Sequence, residues 1–199
     1  RGLGDVYKRQ VLAGLLGYPR IGGSRCGGPW PEGSAPMTEK KKQLTDPMDA
    51  LVSLQQEVRR GMTTNPTSQG KDIRVVFDKP NGIARYTYAR IEHGRVKAIA
   101  ILHVHTPIDG IPCFALGYAV PEAYRNRGWA KQIVEAGIQE LSAGLGRHGV
   151  KQFYVEAVVG QDNVASQRVA TAVVSSTHRE STDQESGLPV FCYARLVQC

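Results

Sequence analysis

Residues 117–145 combine an apolar strand, a short polar loop and an amphipathic helix, and this order constrains the fold more than any other part of the chain. The strand over 117–120 leads into a loop with Arg125, Arg127 and Gly128, and apolar residues then recur at helical spacing. The first amides of a helix lack intrahelical partners and carry partial positive charge. Gly128 has no Cβ to keep a ligand away from the backbone. The segment therefore predicts a phosphate-binding loop at a helix N-terminus.

The same loop carries a family signature. Residues 125–130 read Arg-Asn-Arg-Gly-Trp-Ala and fit the pattern [Arg/Gln]-x-x-Gly-x-[Gly/Ala] of the GCN5-related N-acetyltransferases, the GNAT superfamily. A strand over 153–159 and an Asn163-x-x-Ser166 helix start follow, and they resemble the second half of the acetyl-CoA site in the branch similar to ribosomal-protein-alanine acetyltransferases. The resemblance covers roughly residues 48–197 and is strongest from 117 to 170.

Apolar spacing and turn residues predict the remaining elements. In chain order they are a helix from Asp46-Pro47 to Gly61, strands over 72–77, 84–91, 96–105 and 113–120, the helix up to Leu145, the strand over 153–159, a helix from Asn163 and a strand over 189–197. The fold class we expect is α/β in the wide sense, an α+β mixed sheet. The central sheet is mostly antiparallel with helices on both faces, as the resemblance to the GNAT-like acyl-CoA N-acyltransferase fold implies.

Residues 1–36 differ in kind from the rest of the chain. They hold nine of the 22 glycines and four of the 11 prolines, and residues 1–10 resemble a translated sequencing adapter. We predict a non-native or disordered leader over 1–36, a basic flexible segment over 37–45 and a single GNAT-like domain over 46–199. A secretory signal is the competing interpretation of the leader, but its apolar stretch at 11–16 is short for one.

The net charge and the cysteine spacing limit the classes of partner and the cellular compartment that we expect. Residues 37–199 carry 20 basic and 16 acidic residues, a net charge of +4 out of the +7 of the whole chain. This mild excess suits an anionic cofactor and does not indicate nucleic acid. The four cysteines lack paired metal-ligand spacings, which favours a reduced, cytoplasmic protein without a metal. No run reaches the ~18 apolar residues of a membrane span, so we expect no membrane partner, and a homodimer stays open.

The resemblance implies an acetyl-CoA site between two splayed parallel strands. Main-chain groups of Tyr118 and Val120 would bind the pantetheine amides, and an amide near Ala119 would polarise the thioester carbonyl. Asn163 would cap its helix and contact the pantetheine chain. The remaining cofactor-binding residues form the loop that would hold the pyrophosphate: Arg125, Asn126, Arg127, Gly128, Trp129 and Ala130.

Direct transfer to an amine, as the resemblance implies, requires a group that removes a proton and one that protonates the leaving thiolate. His105 and His103 are the base candidates because a neutral imidazole is available near pH 7, with Glu92 and Glu156 as carboxylate alternatives. A metal site formed by the two histidines is disfavoured because no third ligand is nearby.

The chain departs from the family pattern at two positions. The tyrosine that many members place seven residues after the asparagine is Ala170 here, so we predict Ser166 as the acid, with Tyr193 behind it. The Gly-Phe pair that commonly follows this helix is absent, and residues 175–186 are expected to form a flexible loop.

The expected function is acetyl transfer from acetyl-CoA to a primary amine, either a protein N-terminus or a small molecule. The alternative is a non-catalytic acyl-CoA-binding module of the same fold.

Overall fold

The computed structural model describes residue 44, residues 46–184 and residues 186–199. The predicted leader over 1–36 lies outside these residues, as does the predicted segment over 37–45 apart from Leu44. Within the described part of the chain, no helix is both long enough and apolar enough to cross a membrane.

Three α-helices and eight β-strands make up the described chain. The helices are α1 (Pro47–Arg59), α2 (Trp129–Gly146) and α3 (Val164–Val173). The strands are β1 (Asn65–Pro66), β2 (Ile73–Asp78), β3 (Arg85–Glu92), β4 (Arg95–Ile108), β5 (Ile111–Ala119), β6 (Gln152–Gly160), β7 (Arg179–Thr182) and β8 (Pro189–Gln198). Single 3₁₀ turns lie at Pro80–Gly82 and Glu122–Tyr124.

All eight strands form one sheet in the order β1-β2-β3-β4-β5-β6-β8-β7. Every neighbouring pair is antiparallel except β5 and β6, which run parallel because α2 connects them as a crossover. The predicted mixed, mostly antiparallel sheet is confirmed. Its one parallel pair is formed by β5 and β6, and the predicted phosphate-binding loop connects β5 to α2 between them.

Helices cover both faces of the sheet. On one face, called the α2 face, Ile133, Val134 and Leu141 of α2 pack with Ala170 of α3 against the strands. The opposite face, called the α1 face, is covered by Leu51 and Leu54 of α1 over the central strands β3 to β5. Two separate apolar clusters result. The cluster to which a strand residue belongs shows whether its side chain faces α2 or α1.

Two local predictions about side-chain direction are wrong. The alternation of apolar residues from Val96 to Val104 predicts that Val96 lies on the same face as Ala98, but Val96 packs in the α1 cluster. The register between β3 and β4 shifts next to Lys97, and such a bulge moves the residues before it to the opposite face. In α3 the helical spacing of apolar residues predicts Ala165 and Ala172 among the inward residues. Both are exposed, whereas Ala170 and Val174 are buried.

The polar stretch 175–186 is not simply a loop. Residues Arg179–Thr182 form β7 and pair antiparallel with Pro189–Cys192 of β8. Asp183 stabilises the connecting turn, because its Oδ2 accepts hydrogen bonds from the amide and the hydroxyl of Ser186 at 2.8 and 2.7 Å. Sequence reasoning missed this strand because its exposed, polar residues do not alternate with apolar ones.

Candidate functional site

The two parallel strands separate beyond a short paired region. Parallel pairing of β5 with β6 runs from Cys113 opposite Tyr154 to Ala115 opposite Glu156 and stops there. Beyond this point β5 stays paired to β4 up to Ala119, and β6 stays paired to β8 up to Gly160. The opening between residues 116–119 and 157–160 is called the wedge. Backbone groups that point into it are available to an extended ligand.

The loop at the open end of the wedge leads directly into α2. Gly128 is the N-cap of α2 with φ of 74°, a left-handed conformation that favours glycine, and Asn126 is also left-handed at 59°. No side chain caps this helix, and its first turn contains no acidic residue. The amides of the first turn are therefore not engaged by a capping side chain. This is the local geometry of an anion site at a helix N-terminus.

Basic side chains gather around the Trp129 ring in the first turn of α2. The charged groups of Arg90, Lys97 and Arg127 lie 5.6, 5.4 and 5.5 Å from its centroid. Arg90 and Lys97 also contact the Glu92 carboxylate at 3.1 and 2.9 Å. Sequence reasoning missed Arg90 and Lys97, since they come from the β3–β4 hairpin and only the folded sheet brings them to the loop.

Arg125 is placed differently from the other predicted loop residues. Its Nε donates a hydrogen bond to the carbonyl oxygen of Val120 at 3.2 Å, so its side chain folds back on the end of β5. Arg127 instead lies over Trp129, beside the helix start. The positive charge next to the open amides of α2 therefore comes from Arg127, Arg90 and Lys97.

A row of side chains crosses the α1 face at the apex of the wedge. Strand register places Arg85, His103, Ala115, Glu156 and Ala194 side by side on strands β3, β4, β5, β6 and β8. This set is called the apex row. Helix α1 stops short of it: Pro47 packs against Gly117, and the last β4 residue in the α1 cluster is Ile101. The apex row is therefore the first part of this face that α1 leaves uncovered.

The predicted base candidates lie in or beside the apex row. His103 belongs to it, and His105 lies two residues further along β4, with its Nε2 3.9 Å from Oε2 of Glu156. The pKa of His103 is lowered because burial disfavours the charged imidazole, and the neighbouring His105 and Arg85 add to the effect. Glu92, the other carboxylate alternative, lies at the far end of the β3–β4 hairpin with Arg90 and Lys97.

Cys113 lies directly beside this site but does not suit nucleophilic catalysis. Its side chain is buried, and burial raises the pKa of the thiol to about 12. A thiol is nucleophilic only as the thiolate, so this environment disfavours Cys113 as a nucleophile.

Hydroxyl groups border the wedge on the α2 face. The Tyr118 hydroxyl donates to the carbonyl oxygen of Ser166 at 2.8 Å and so ties β5 to the first turn of α3. Asn163 caps α3 as predicted, because its Oδ1 accepts a hydrogen bond from the Ser166 amide at 3.0 Å. Burial raises the pKa of Tyr118, and Tyr193 is close enough to raise it further. Ala170 of α3 is fully buried.

The wedge thus separates the two sets of predicted catalytic residues. His103 and His105 lie on the α1 face, and Ser166 lies on the α2 face with Tyr193 close to Tyr118. Among the described residues, no group of three or more His, Cys, Asp or Glu side chains could hold a metal ion.

Comparison with solved structures returns GNAT-family acetyltransferases. An acetyltransferase of the GNAT family from Streptococcus pneumoniae is 15% identical with a TM-score of 0.44, and the match covers 78% of this chain and 97% of that one. RimL, a ribosomal L7/L12 α-N-protein acetyltransferase, in complex with coenzyme A, is 17% identical with a TM-score of 0.40, covering 58% of this chain and 62% of that one.

An acetyltransferase from Salmonella typhimurium that modifies the N-terminal serine of ribosomal protein L7/L12 is 18% identical, with a TM-score of 0.38 and coverage of 58% and 64%. The match to this chain thus spans a little under two thirds of both ribosomal-protein acetyltransferases. No protein-family profile matches this sequence. No curated protein matches it either.

Proposed function

We propose that this protein is an acetyl-CoA-dependent N-acetyltransferase of the GNAT type, which transfers an acetyl group directly to a primary amine. The acceptor is a protein N-terminus or a small molecule. The observation that carries the proposal is the wedge with the uncapped start of α2 at its open end. An extended pantetheine arm can pair with the free backbone groups of β5, while the amides after Gly128 bind the pyrophosphate.

The cofactor contacts follow from this placement. Main-chain groups of Tyr118 and Val120 bind the pantetheine amides, and residues 127–130 hold the pyrophosphate with support from Arg90 and Lys97. Asn163 contacts the pantetheine chain from the start of α3. A main-chain amide near Ala119 stabilises the developing oxyanion, and one such donor contributes about 2.7–4 kcal/mol to the transition state.

The two proton transfers of the reaction take place on opposite faces of the wedge. The amine attacks the thioester carbon from the α1 face, so a new C–N bond forms while the C–S bond breaks. His103 or His105 accepts the proton that the amine loses. The leaving thiolate takes a proton on the α2 face, where Ser166 is the proposed donor. The leaving group thus departs away from the incoming amine.

Substitution of Gly128 tests the pyrophosphate site. We expect acetyl-CoA to raise the melting temperature of the wild type. Gly128→Glu places a side chain and a negative charge at the helix start, so it should abolish this rise. Gly110→Glu is the matched control, since Gly110 also has a positive φ (76°) and open space around it, but lies in the β4–β5 turn. Both variants carry similar backbone strain.

Thermal shifts and thiol-release assays together distinguish the two candidate functions. An acetyl-CoA shift that survives in Gly128→Glu would contradict the proposed pyrophosphate site. A shift in the wild type without thiol release from any amine would support the non-catalytic acyl-CoA-binding module. The buried Ala170, which supplies no hydroxyl where many members of the family have a tyrosine, is the observation that favours this second candidate.

A further inference from the structure

The chain that leads into α1 contacts both strands of the wedge. A Cβ at Gly117 of β5 would lie 3.2 Å from Cγ of Pro47, and a Cβ at Gly160 of β6 would lie 3.2 Å from Cδ1 of Leu44. Both glycines alternate with strand residues of the α2-face cluster, so both contacts are made on the α1 face. Leu44 and Pro47 thus lie over opposite sides of the wedge, on the face from which the amine attacks.

Three consecutive lysines, Lys40, Lys41 and Lys42, precede Leu44 and are called the lysine triplet. They lie outside the described residues, but the covalent chain limits their distance from Leu44. Each residue spans at most about 3.6 Å, so the Cα atoms of the triplet are within about 14 Å of Leu44. Residues 157–160, the β6 side of the wedge, cover only about 10 Å. A four-carbon stem carries each amino group further, so all three amines can reach the wedge.

Carboxylates border the α1 face between the entry of the chain and the apex row. Asp162 follows the end of β6, and its Oδ1 would lie 2.8 Å from a Cβ at Gly160. Glu156 belongs to the same face of β6, in the apex row. Arg85, the arginine of that row, is held by Asp78, to which its Nε donates a hydrogen bond at 2.9 Å. This distribution of charge favours the approach of ammonium groups.

An amine on the same chain needs little intrinsic affinity for the site. A short linker holds a tethered group at an effective concentration of about a millimolar around its anchor. Enzymes typically have KM values of about 1 µM to 1 mM. The lysine triplet is therefore presented at a concentration that free acceptors would have to match.

We propose that the protein acetylates its own lysine triplet with acetyl-CoA bound in the wedge of the same molecule. The inference rests on the proposed acetyltransferase function and deepens it by naming an acceptor within the chain. A lysine amine ordinarily has a pKa of about 10.4, so its ammonium form first gives up a proton to His103 or His105. Its Nζ then attacks the thioester carbon. A C–N bond forms, the C–S bond breaks, and coenzyme A leaves as a thiolate that takes up a proton.

Tandem mass spectrometry of the full chain tests the proposal. With deuterium-labelled acetyl-CoA, we expect the lysine triplet to gain label at least about tenfold faster than Lys71 and Lys151, because the tether concentrates it at the site. These two exposed lysines report acetylation by acetyl-CoA in solution. The rate constant for the triplet should stay the same when the protein is diluted about a hundredfold, since transfer within one molecule is first order.

Two variants separate the acceptor from the cofactor site. The triple variant K40R/K41R/K42R keeps the charge but has no acceptor amine at these positions. It should therefore release thiol only with an added amine, using the same amines as the wild type. Gly128→Glu keeps the lysine triplet but loses the proposed pyrophosphate site, so it should label the triplet no faster than Lys71 and Lys151. Unlabelled acetyl groups gained during expression should likewise be found on the triplet of the wild type and not of Gly128→Glu.

A mixture of the two variants tests whether transfer stays within one molecule. The triple variant supplies the active site, and Gly128→Glu supplies the acceptor. Absence of label on the triplet, at a concentration where the wild type is labelled, would support the proposal, whereas label there would overturn it. Labelling in the wild type no faster than at Lys71 and Lys151 would also overturn it, while thiol release with an added amine leaves the acetyltransferase function standing. Absence of both label and thiol release would overturn both.

Discussion

Single residues beside the wedge differ in how strongly the fold changes their chemistry. His103 and His105 are two positions apart on the same strand but differ in burial. The His105 side chain is 47% exposed, whereas burial of His103 is the main cause of its lowered pKa. Such a histidine stays neutral to a lower pH than a free imidazole, which keeps it available as a base. Spacing in the sequence cannot separate the two histidines, because burial depends on what packs beside each strand position.

His103 predicts a pH dependence of stability. Since its folded pKa lies below the value of the unfolded chain, about 6.5, the unfolded state binds more protons between these two values. The free energy of unfolding should therefore fall as pH drops below about 6.5 and through the folded pKa. Urea unfolding at pH 7.5 and pH 5 measures this loss. The loss should be smaller in His103→Gln, and an equal loss in that variant would contradict the assignment.

Helix α3 shows how one element links the fold to the site. It is a short helix of ten residues. Two hydrogen bonds hold its first turn, one to the Asn163 cap and one from the Tyr118 hydroxyl. Both contacts use main-chain atoms of Ser166, and the Ser166 side chain also interacts with Tyr118, which partly offsets the raised pKa of that tyrosine. The element therefore positions Ser166 at the wedge mainly through its main-chain amide and carbonyl.

Two substitutions in α3 separate capping from chemistry. Asn163→Ala removes the cap, so we expect a loss of about 1 kcal/mol in the free energy of unfolding. Ser166→Ala keeps both main-chain contacts and should change stability by less than about 0.5 kcal/mol, while turnover falls more than affinity for acetyl-CoA. Urea unfolding, thiol-release kinetics and thermal shifts provide the three measurements. Equal losses of turnover and cofactor affinity in Ser166→Ala would indicate a structural role instead.

At the scale of the whole molecule, the wedge exists because the outer strands hold the two inner ones apart. β5 remains paired with β4 and β6 with β8, while α1 and α2 cover opposite faces of the same sheet. The inner edges of β5 and β6 thus stay open within a sheet that is otherwise continuous. An open edge inside a sheet is a template for an added strand-like ligand.

Hydrogen exchange tests this arrangement in the intact protein. We expect acetyl-CoA to slow amide exchange in residues 116–120 and 157–160 and in the first turn of α2, because ligand groups then bind the open amides. Strands β2 and β3 serve as the internal reference, since their amides lie away from the wedge and should exchange at unchanged rates. Protection confined to the α2 turn would show that the anion binds there without strand-like pairing in the wedge.

Local sequence patterns predicted the elements around the site. The loop at 125–130 and the cap at Asn163 follow from local chemistry, since a left-handed turn or a cap depends on the residues at those positions. Apolar spacing likewise predicted the strands β3 to β6, and the resemblance to the family implied the mixed sheet that they form. These features need no knowledge of distant contacts.

Contacts between residues far apart in the chain depend on how the whole sheet packs. The tertiary structure brought Arg90 and Lys97 to Trp129, set Glu156 beside His105, and paired the polar β7 with β8. It also moved Val96 to the α1 face through a bulge that no local pattern reveals. Strand register and helix packing set these contacts, and both depend on the free energy of the whole sheet rather than on any one segment.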